Sequence, residues 1–277
     1  MVRCQSRAFV AGERPLAFAH RGGSGLWPEN TLTAFCGALE LGCDAIETDL
    51  RMTRDGQLVL FHDARLERTT NGRGFLHQLT LGRLKQLDAG YRFSTDGVVY
   101  PYRGRGVRVP TLDEVADLTN DCRLNIEIKP TQPELVAKLW CFIEQRGLHD
   151  RTLVAARDDR LLRRFRRLSR GRVATSAGFR EAFRFWGASR VGAAQLCSPD
   201  YDALQVPPRY RGLTVVDDRL VRAAHSVGVR VHVWTVDEPA EMRHLLGLGV
   251  DGVMSDRPDR LLRVLRAGHG PRLPCTR

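Results

Sequence analysis

Eight short apolar runs recur along the chain with helical patterns between them: LAFAH (16–20), DAIETDL (44–50), RLNIEIK (123–129), TLVAA (152–156), RVATS (172–176), ALQV (203–206), RVHVWTV (230–236) and DGVMS (251–255). Strands that alternate with helices argue for a parallel sheet covered by helices, and eight of them for a closed (β/α)8 TIM barrel of the α/β class. A length of 277 residues with 43% apolar content suits one such barrel or two small domains, so it is the strand pattern and not size that chooses the barrel. Punctuation between the runs agrees. Asn30 or Thr31 can cap a helix carrying Leu32, Phe35 and Leu39 inward and stopping at Gly42, and Thr111 to Glu114 reads as a capping box. RAAHSVG and RHLLGLG both end on glycine ahead of a strand.

One apolar run is surplus. QLVLFH (57–62) is separated from DAIETDL only by RMTRDG, too short for a helical crossover. Asp55-Gly56 is a two-residue hairpin signal, so strand two runs on past the barrel and folds back. Counting outward from that turn sets His62 opposite Asp49. The segment from about 63 to 109 then has no place in the barrel pattern and reads as a small insertion over the carboxyl ends of the strands. The barrel domain is expected over 15–266, with terminal tails at 1–14 and 267–277.

No apolar run reaches the roughly 18 residues of a membrane helix, and Arg3, Arg7 and Gly12 break the opening stretch, so no cleaved signal is expected. The seven cysteines (Cys4, Cys36, Cys43, Cys122, Cys141, Cys197, Cys275) are scattered, which fits reduced thiols and a cytoplasmic location. The net charge of +11 rests almost wholly on arginine. Its densest patch, RLLRRFRRLSRGR (160–172), reads as a surface helix with a solvated basic face, leaving a peripheral membrane contact as the sharper alternative. The patch lacks interleaved stacking aromatics, so no nucleic-acid partner is expected.

The polar residues on the strands carry the chemistry. Glu47 and Asp49 are two apart and share one face of strand two, Glu127 and Lys129 do the same on strand three, and His20 closes strand one. All project from the carboxyl-terminal half of their strands, where barrel enzymes keep their active sites. Three converging carboxylates repel unless something positive lies between them. An all-oxygen ligand set favours one hard divalent cation, Mg²⁺ or Ca²⁺, over zinc. The plainer reading leaves Glu47 and Asp49 at an exposed strand end and pairs Glu127 with Lys129; two histidines at the same level weigh against it. His20 and His62 suit acid and base catalysis, and Arg21 and Lys129 offer positive charge to a phosphoryl oxygen. Gly22 and Gly23 let the backbone turn sharply beside a ligand.

The chain resembles the glycerophosphodiester phosphodiesterase family. The resemblance is carried, in order, by HRGGSGLWPENTLTAF (20–35), ETDLRMTRDGQLVLFHD (47–63), LERTTNGRG (66–74), LTLGRLKQLDAG (79–90), VPTLDEV (109–115), LNIEIK (124–129), HVWTV (232–236) and GVDGVMSDRPD (249–259). It implies a metal-dependent phosphodiesterase barrel with an insertion after strand two, acting in glycerol and phospholipid metabolism. By that resemblance His20 and His62 are the acid/base pair, Glu47, Asp49 and Glu127 the metal ligands, and Arg21 and Lys129 the phosphate contacts. Trp234 is a wall for the glycerol. The sequence departs from the family pattern at VAARD on strand five and at SDRPD after strand eight. His77, His225, His232 and His244 match no site position and read as structural.

The reaction implied is hydrolysis of a small glycerophosphodiester to sn-glycerol 3-phosphate and an alcohol. Attack by the glycerol 2-hydroxyl would give a cyclic glycerophosphate, which water then opens. A lysophospholipase D-type reaction on lysophospholipids at a membrane surface is the nearest alternative, to be favoured by an apolar funnel over the site. A catalytically retired barrel with a binding role is the more distant one. Oligomeric state is not legible.

Overall fold

A computed structural model describes residues 8–12, 14–119, 122–130 and 132–268. Most of the stretches read as tails, with Cys4 and Cys275, lie outside them. The elements run β1 (Leu16–Ala19), α1 (Leu32–Leu41), β2 (Ala45–Met52), β3 (Leu58–Leu60), α2 (Leu81–Leu84), α3 (Leu112–Leu118), β4 (Arg123–Ile128), α4 (Leu135–Arg146), β5 (Thr152–Ala155) and α5 (Asp159–Ser169). They continue with β6 (Ala174–Thr175), α6 (Phe179–Arg190), β7 (Ala203–Val206), β8 (Arg209–Tyr210), β9 (Leu213–Thr214), α7 (Asp218–Ser226), β10 (Arg230–Val233), α8 (Pro239–Gly247), β11 (Gly252–Ser255) and α9 (Pro258–Gly268). Each of the eight apolar runs marks one of the eight parallel strands, β2 continuing two residues past its run to Met52, and the strands lie in the order β6-β5-β4-β2-β1-β11-β10-β7. β6 and β7 meet at a single bridge, Ser176 to Ala203, which closes the barrel.

Strand alternation divides the core into two layers. Phe18, Ala45, Leu153, Ala174, Ala203 and Met254 fill the lumen, while Ile46, Leu50, Ile126 and Val154 face outward to the helices. Each large side chain so buried contributes about 1.5–3 kcal/mol. Phe9, within the stretch read as a leading tail, is fully buried against Phe18, and its carbonyl accepts from Arg123 at the start of β4. It thus closes the amino-terminal end of the lumen. On β2 the lumen face reads Ala45, Glu47, Asp49, so the small residue sits low in the barrel and the carboxylates at its mouth.

The helix boundaries follow the expected signals. Thr31, not Asn30, caps α1, accepting from the Ala34 amide at 3.2 Å, and α1 stops at Gly42 in the left-handed region. Thr111 and Glu114 form the capping box that opens α3. On α5, Leu162 and Phe165 are spent on the core, and most of its arginines lie outside. Arg166 is the exception, buried and bonded to Glu181, Asp200 and Thr175. Among the described residues no helix is long and apolar enough to cross a membrane.

β3 pairs antiparallel with β2, as the surplus run required, but its register is one residue from the expected one. Leu50 faces Leu60, and the Phe61 amide rather than His62 reaches the Asp49 carbonyl, at 2.8 Å. The turn is the reason. Thr53 closes it against Gln57, leaving a three-residue loop of Arg54, Asp55 and Gly56, with Gly56 at φ +78°. The Asp55 carboxylate fixes that shape by accepting from Thr53 Oγ1 at 2.6 Å and from the Leu81 amide at 3.0 Å. One edge of β2 is occupied by β4, so β3 takes the other beyond the point where β1 ends. The insertion has its own apolar cluster, with Leu66, Leu76, Leu84, Val107 and Val109 packed on Val59 and Phe61. It leaves and returns at one neck, where the Leu60 amide donates to the Pro110 carbonyl at 3.0 Å and Val59 bridges Thr111.

β1 ends at Ala19, and His20 opens a tight turn in which Arg21 has φ 52°. Gly22 follows at φ +84°, and a Cβ there would lie 2.7 Å from the Ala34 Cβ. Gly22→Ala is therefore expected to destabilise the protein by about 1–3 kcal/mol. A denaturant midpoint equal to that of the parent would show that the turn has room to shift.

Candidate active site

The barrel mouth gathers the site residues. Because Asp49 on β2 is in register with Glu127 on β4, and Glu47 precedes Asp49 on the same face, the three carboxylates converge. Each offers an oxygen within 4.8 Å of the others. Glu47 and Asp49 are buried, and Glu127 stands at the edge of the cavity.

Such a cluster needs positive charge, and the chain supplies part of it. Lys129 Nζ lies 3.0 Å from Asp49 and 2.9 Å from Glu127. Arg21 Nε is 3.2 Å from Asp49, in ion-pair contact without hydrogen-bond alignment. Burial opposes ionisation of Asp49, but Lys129 and Arg21 hold its carboxyl below the usual range. For Glu47 the attraction of His20 and Arg21 does not offset its burial. Burial, reinforced by Asp49, pushes its carboxyl up to about 7, although the Arg21 amide donates to it at 3.0 Å. Asn30 steadies the pair from behind: its Nδ2 donates to Asp49 at 2.8 Å while its Oδ1 accepts from Thr48 at 2.6 Å.

Each histidine is backed by an aspartate. His20 Nδ1 lies 2.6 Å from Asp256, which also accepts from Ser24, and His20 Nε2 faces Glu47 at 3.8 Å. Burial disfavours a charge on this ring, but Glu47 and Asp256 outweigh it and raise its pKa above the ordinary value. His62 Nδ1 lies 2.6 Å from Asp63, and Asp63 is held by Arg68. Arg68 in turn grips Glu29 with both terminal nitrogens, at 2.6 and 2.7 Å, and Glu29 meets Arg21 at 3.1 Å. Arg51, next on the β2 lumen face, donates to the His62 carbonyl at 2.9 and 2.6 Å. A connected charge network thus fixes both rings.

All eight residues singled out from the sequence meet here. His20, Arg21, Glu47, His62, Glu127, Lys129 and Trp234 line one cavity of about 420 Å³, and Asp49 lies beneath them. The sequence reading did not single out Asp256, Asp63, Glu29 or Arg68. Asp63 and Glu29 stand inside the quoted motifs, HD and PEN, and were legible as neighbours of site residues. The opposite wall, from α6 and the β8–β9 hairpin, is apolar and was not foreseen. His232 is a lumen residue against Phe18, at 4.9 Å, with burial pushing its pKa down to about 4. His225 pairs with Asp251 at 2.7 Å.

Comparisons with known proteins bear on the family of the chain. The model of the glycerophosphoryl diester phosphodiesterase family matches residues 20–260. A glycerophosphodiester phosphodiesterase of Caldanaerobacter subterraneus is 34% identical over 92% of this chain and 99% of its own length. One from Bacillus subtilis is 31% identical over 92% of this chain and 88% of its own. Among solved structures, a phosphodiesterase of Oleispira antarctica in complex with the product sn-glycerol 3-phosphate superposes with a TM-score of 0.73 at 25% identity. That match covers 91% of this chain and 97% of the other.

Proposed function

Since the chain belongs to the glycerophosphoryl diester phosphodiesterase family, we propose that it hydrolyses small glycerophosphodiesters to sn-glycerol 3-phosphate and an alcohol, with a divalent cation at Glu47, Asp49 and Glu127. The observation that carries this reading is the convergence of three carboxylates and two aspartate-backed histidines at one end of a single cavity. The donor set fits a hard cation: the ligand atoms are all oxygen, and the buried Glu47 carboxyl is pushed up to about 7 even with His20 and Arg21 beside it. A bound Mg²⁺ or Ca²⁺ supplies Lewis-acid stabilisation of charge on the phosphoryl oxygens.

The chain's own residues do the rest. Asp256 and Asp63 hold a proton on Nδ1 of His20 and His62, so each ring presents Nε2 to the substrate. One ring takes the proton of the glycerol 2-hydroxyl as that oxygen attacks phosphorus, and the other protonates the departing alcohol. Water then opens the cyclic glycerophosphate with the roles reversed. Arg21 and Lys129 balance the phosphoryl oxygens, and Trp234, which is 42% exposed at the mouth, flanks the glycerol.

The test is release of glycerol 3-phosphate from glycerophosphocholine and glycerophosphoethanolamine, with Mg²⁺, with Ca²⁺ and with chelator. Release from folded protein that depends on the metal supports the reading. No release under any of these conditions would sink the small-diester reading, and inactivity on lysophospholipid micelles as well would point to a retired barrel.

One observation favours a second reading. The wall facing the histidines is built from Phe179, Ala182, Trp186, Val206 and Val215. It suits a diester bearing an acyl chain, and so a lysophospholipase D-type reaction. Faster turnover of a short-chain lysophosphatidylcholine than of glycerophosphocholine would favour it.

Asp256 acts through His20 and is a positioning residue. Asp256→Asn is expected to lower kcat by about 10- to 100-fold and to shift the histidine limb of the pH profile toward acid, because the carboxylate raises the His20 pKa. Partial recovery in Asp256→Glu would separate this from simple loss of packing. An unchanged pH profile in the Asn variant would sink the assignment.

A further inference from the structure

The rim of the cavity is a surface of a different kind. Phe183 on α6 is 64% exposed and Leu213 on β9 is 59% exposed, with Phe179 and Tyr210 beside them also in water. These side chains form one patch continuous with the apolar wall: the rings of Phe179 and Tyr210 are 6.1 Å apart, and Phe183 stacks on Trp186 at 6.3 Å. A contiguous exposed apolar patch rimmed by polar groups marks a surface that is covered in use.

What rims it is arginine. Arg157, Arg180, Arg184, Arg209 and Arg211 are all exposed around the patch. Two of them lie over its rings, Arg157 at 5.2 Å from the Phe179 centroid and Arg211 at 5.6 Å from that of Tyr210. Among the described residues none of the five is in an ion pair, so the patch carries their charge without a carboxylate beside it, unlike Arg160 with Asp158 or Arg222 with Asp218. The carboxylate within this stretch of α6, Glu181, is taken by buried Arg166.

We propose that the exposed face of α6 and the β8–β9 hairpin dock on an anionic lipid bilayer, from which acyl-bearing diesters pass along the apolar wall to the site. The aromatic and leucine side chains enter the headgroup region and the arginines meet lipid phosphates, the division of labour of an interfacial surface. Charge chooses this occupant. A second copy would set five unpaired arginines against five more, and like charges brought together across an interface oppose it. The delivery step rests on the acyl-chain reading above, but the docking does not.

Sedimentation with vesicles of equal parts phosphatidylglycerol and phosphatidylcholine, beside vesicles of phosphatidylcholine alone, tests it. Binding is expected to the anionic vesicles, to fall as salt is raised, and to weaken by about tenfold or more in Arg180→Gln/Arg184→Gln and in Phe183→Asp. The double arginine variant is expected to turn over soluble glycerophosphocholine at the parent rate. Vesicle binding by protein inactive on every diester would leave the docking standing and sink the proposed reaction. The docking is overturned by absence of binding to anionic vesicles or by equal binding of the variants. It is also overturned by self-association that Phe183→Asp abolishes, or by binding of a single-stranded oligonucleotide in place of vesicles.

Discussion

Replacing His20 with alanine is expected to lower kcat for glycerophosphocholine by about a thousandfold or more, with the chain still folded by circular dichroism. The ring has its Nδ1 held by Asp256 and its other nitrogen turned toward the carboxylate cluster. Water replacing it would have neither the position nor the basicity. His62→Ala is expected to fall by a similar factor, since Asp63 and the Arg51 contact to its backbone fix it equally. The two variants also separate the roles. An aryl ester with a good leaving group needs no proton at departure, so it should restore turnover in whichever variant lacks the acid and leave the other inactive. Variants that retain more than about a tenth of parental turnover on the alkyl diester would remove the histidines from the chemistry.

Removing divalent cations with a chelator is expected to abolish turnover and to lower the melting temperature, with the thermal effect larger at pH 8 than at pH 5. In the folded chain Glu47 holds its proton up to about 7, against an ordinary 4.5. Between those values the folded state binds more protons than the unfolded one, so stability falls as pH rises through that window. The raised pKa of His20 works in the same direction, its contribution being lost as pH rises through the folded value. Asp49, whose pKa is depressed, acts oppositely, and its contribution is lost as pH falls. A cation takes the place of the missing proton and so restores most stability above neutrality. At a hundredfold excess over its dissociation constant it adds about 3 kcal/mol, or roughly 5–10 °C for a chain of this size. Equal melting temperatures with and without Mg²⁺ or Ca²⁺ at pH 8 would rule out the carboxylate triad as a metal site.

The barrel and the carboxylate cluster were legible because carboxylates at alternate positions of an apolar run share one face and demand positive charge there. Glu47 and Asp49 cannot both sit in a lumen without it. The hairpin was legible as an element but not in register. Asp55-Gly56 resembles a two-residue turn, and only the Thr53 to Gln57 pairing shows that the loop has three. Asp256 was hidden for another reason. A carboxylate just past a strand end reads equally as the cap of the next helix, and its contact with His20 spans 236 positions of chain. Likewise RYRGLT carries too short an alternation to announce β8 and β9, so the aromatic wall they complete with α6 stayed invisible until both were packed against the mouth.

The insertion between Phe61 and Val109 is tied off at its base, with Leu60 bonded to Pro110 and Val59 bridged to Thr111. The closure entropy of that long excursion is met at the base, independent of what lies beyond it, and each doubling of its length adds only about 0.6 kcal/mol. The barrel therefore carries it as an exchangeable cassette. A protein engineer could lengthen, shorten or replace it while Leu60 and Val59 hold the neck, and the cavity wall, whose lining includes no residue of 63–109, would be left as it is.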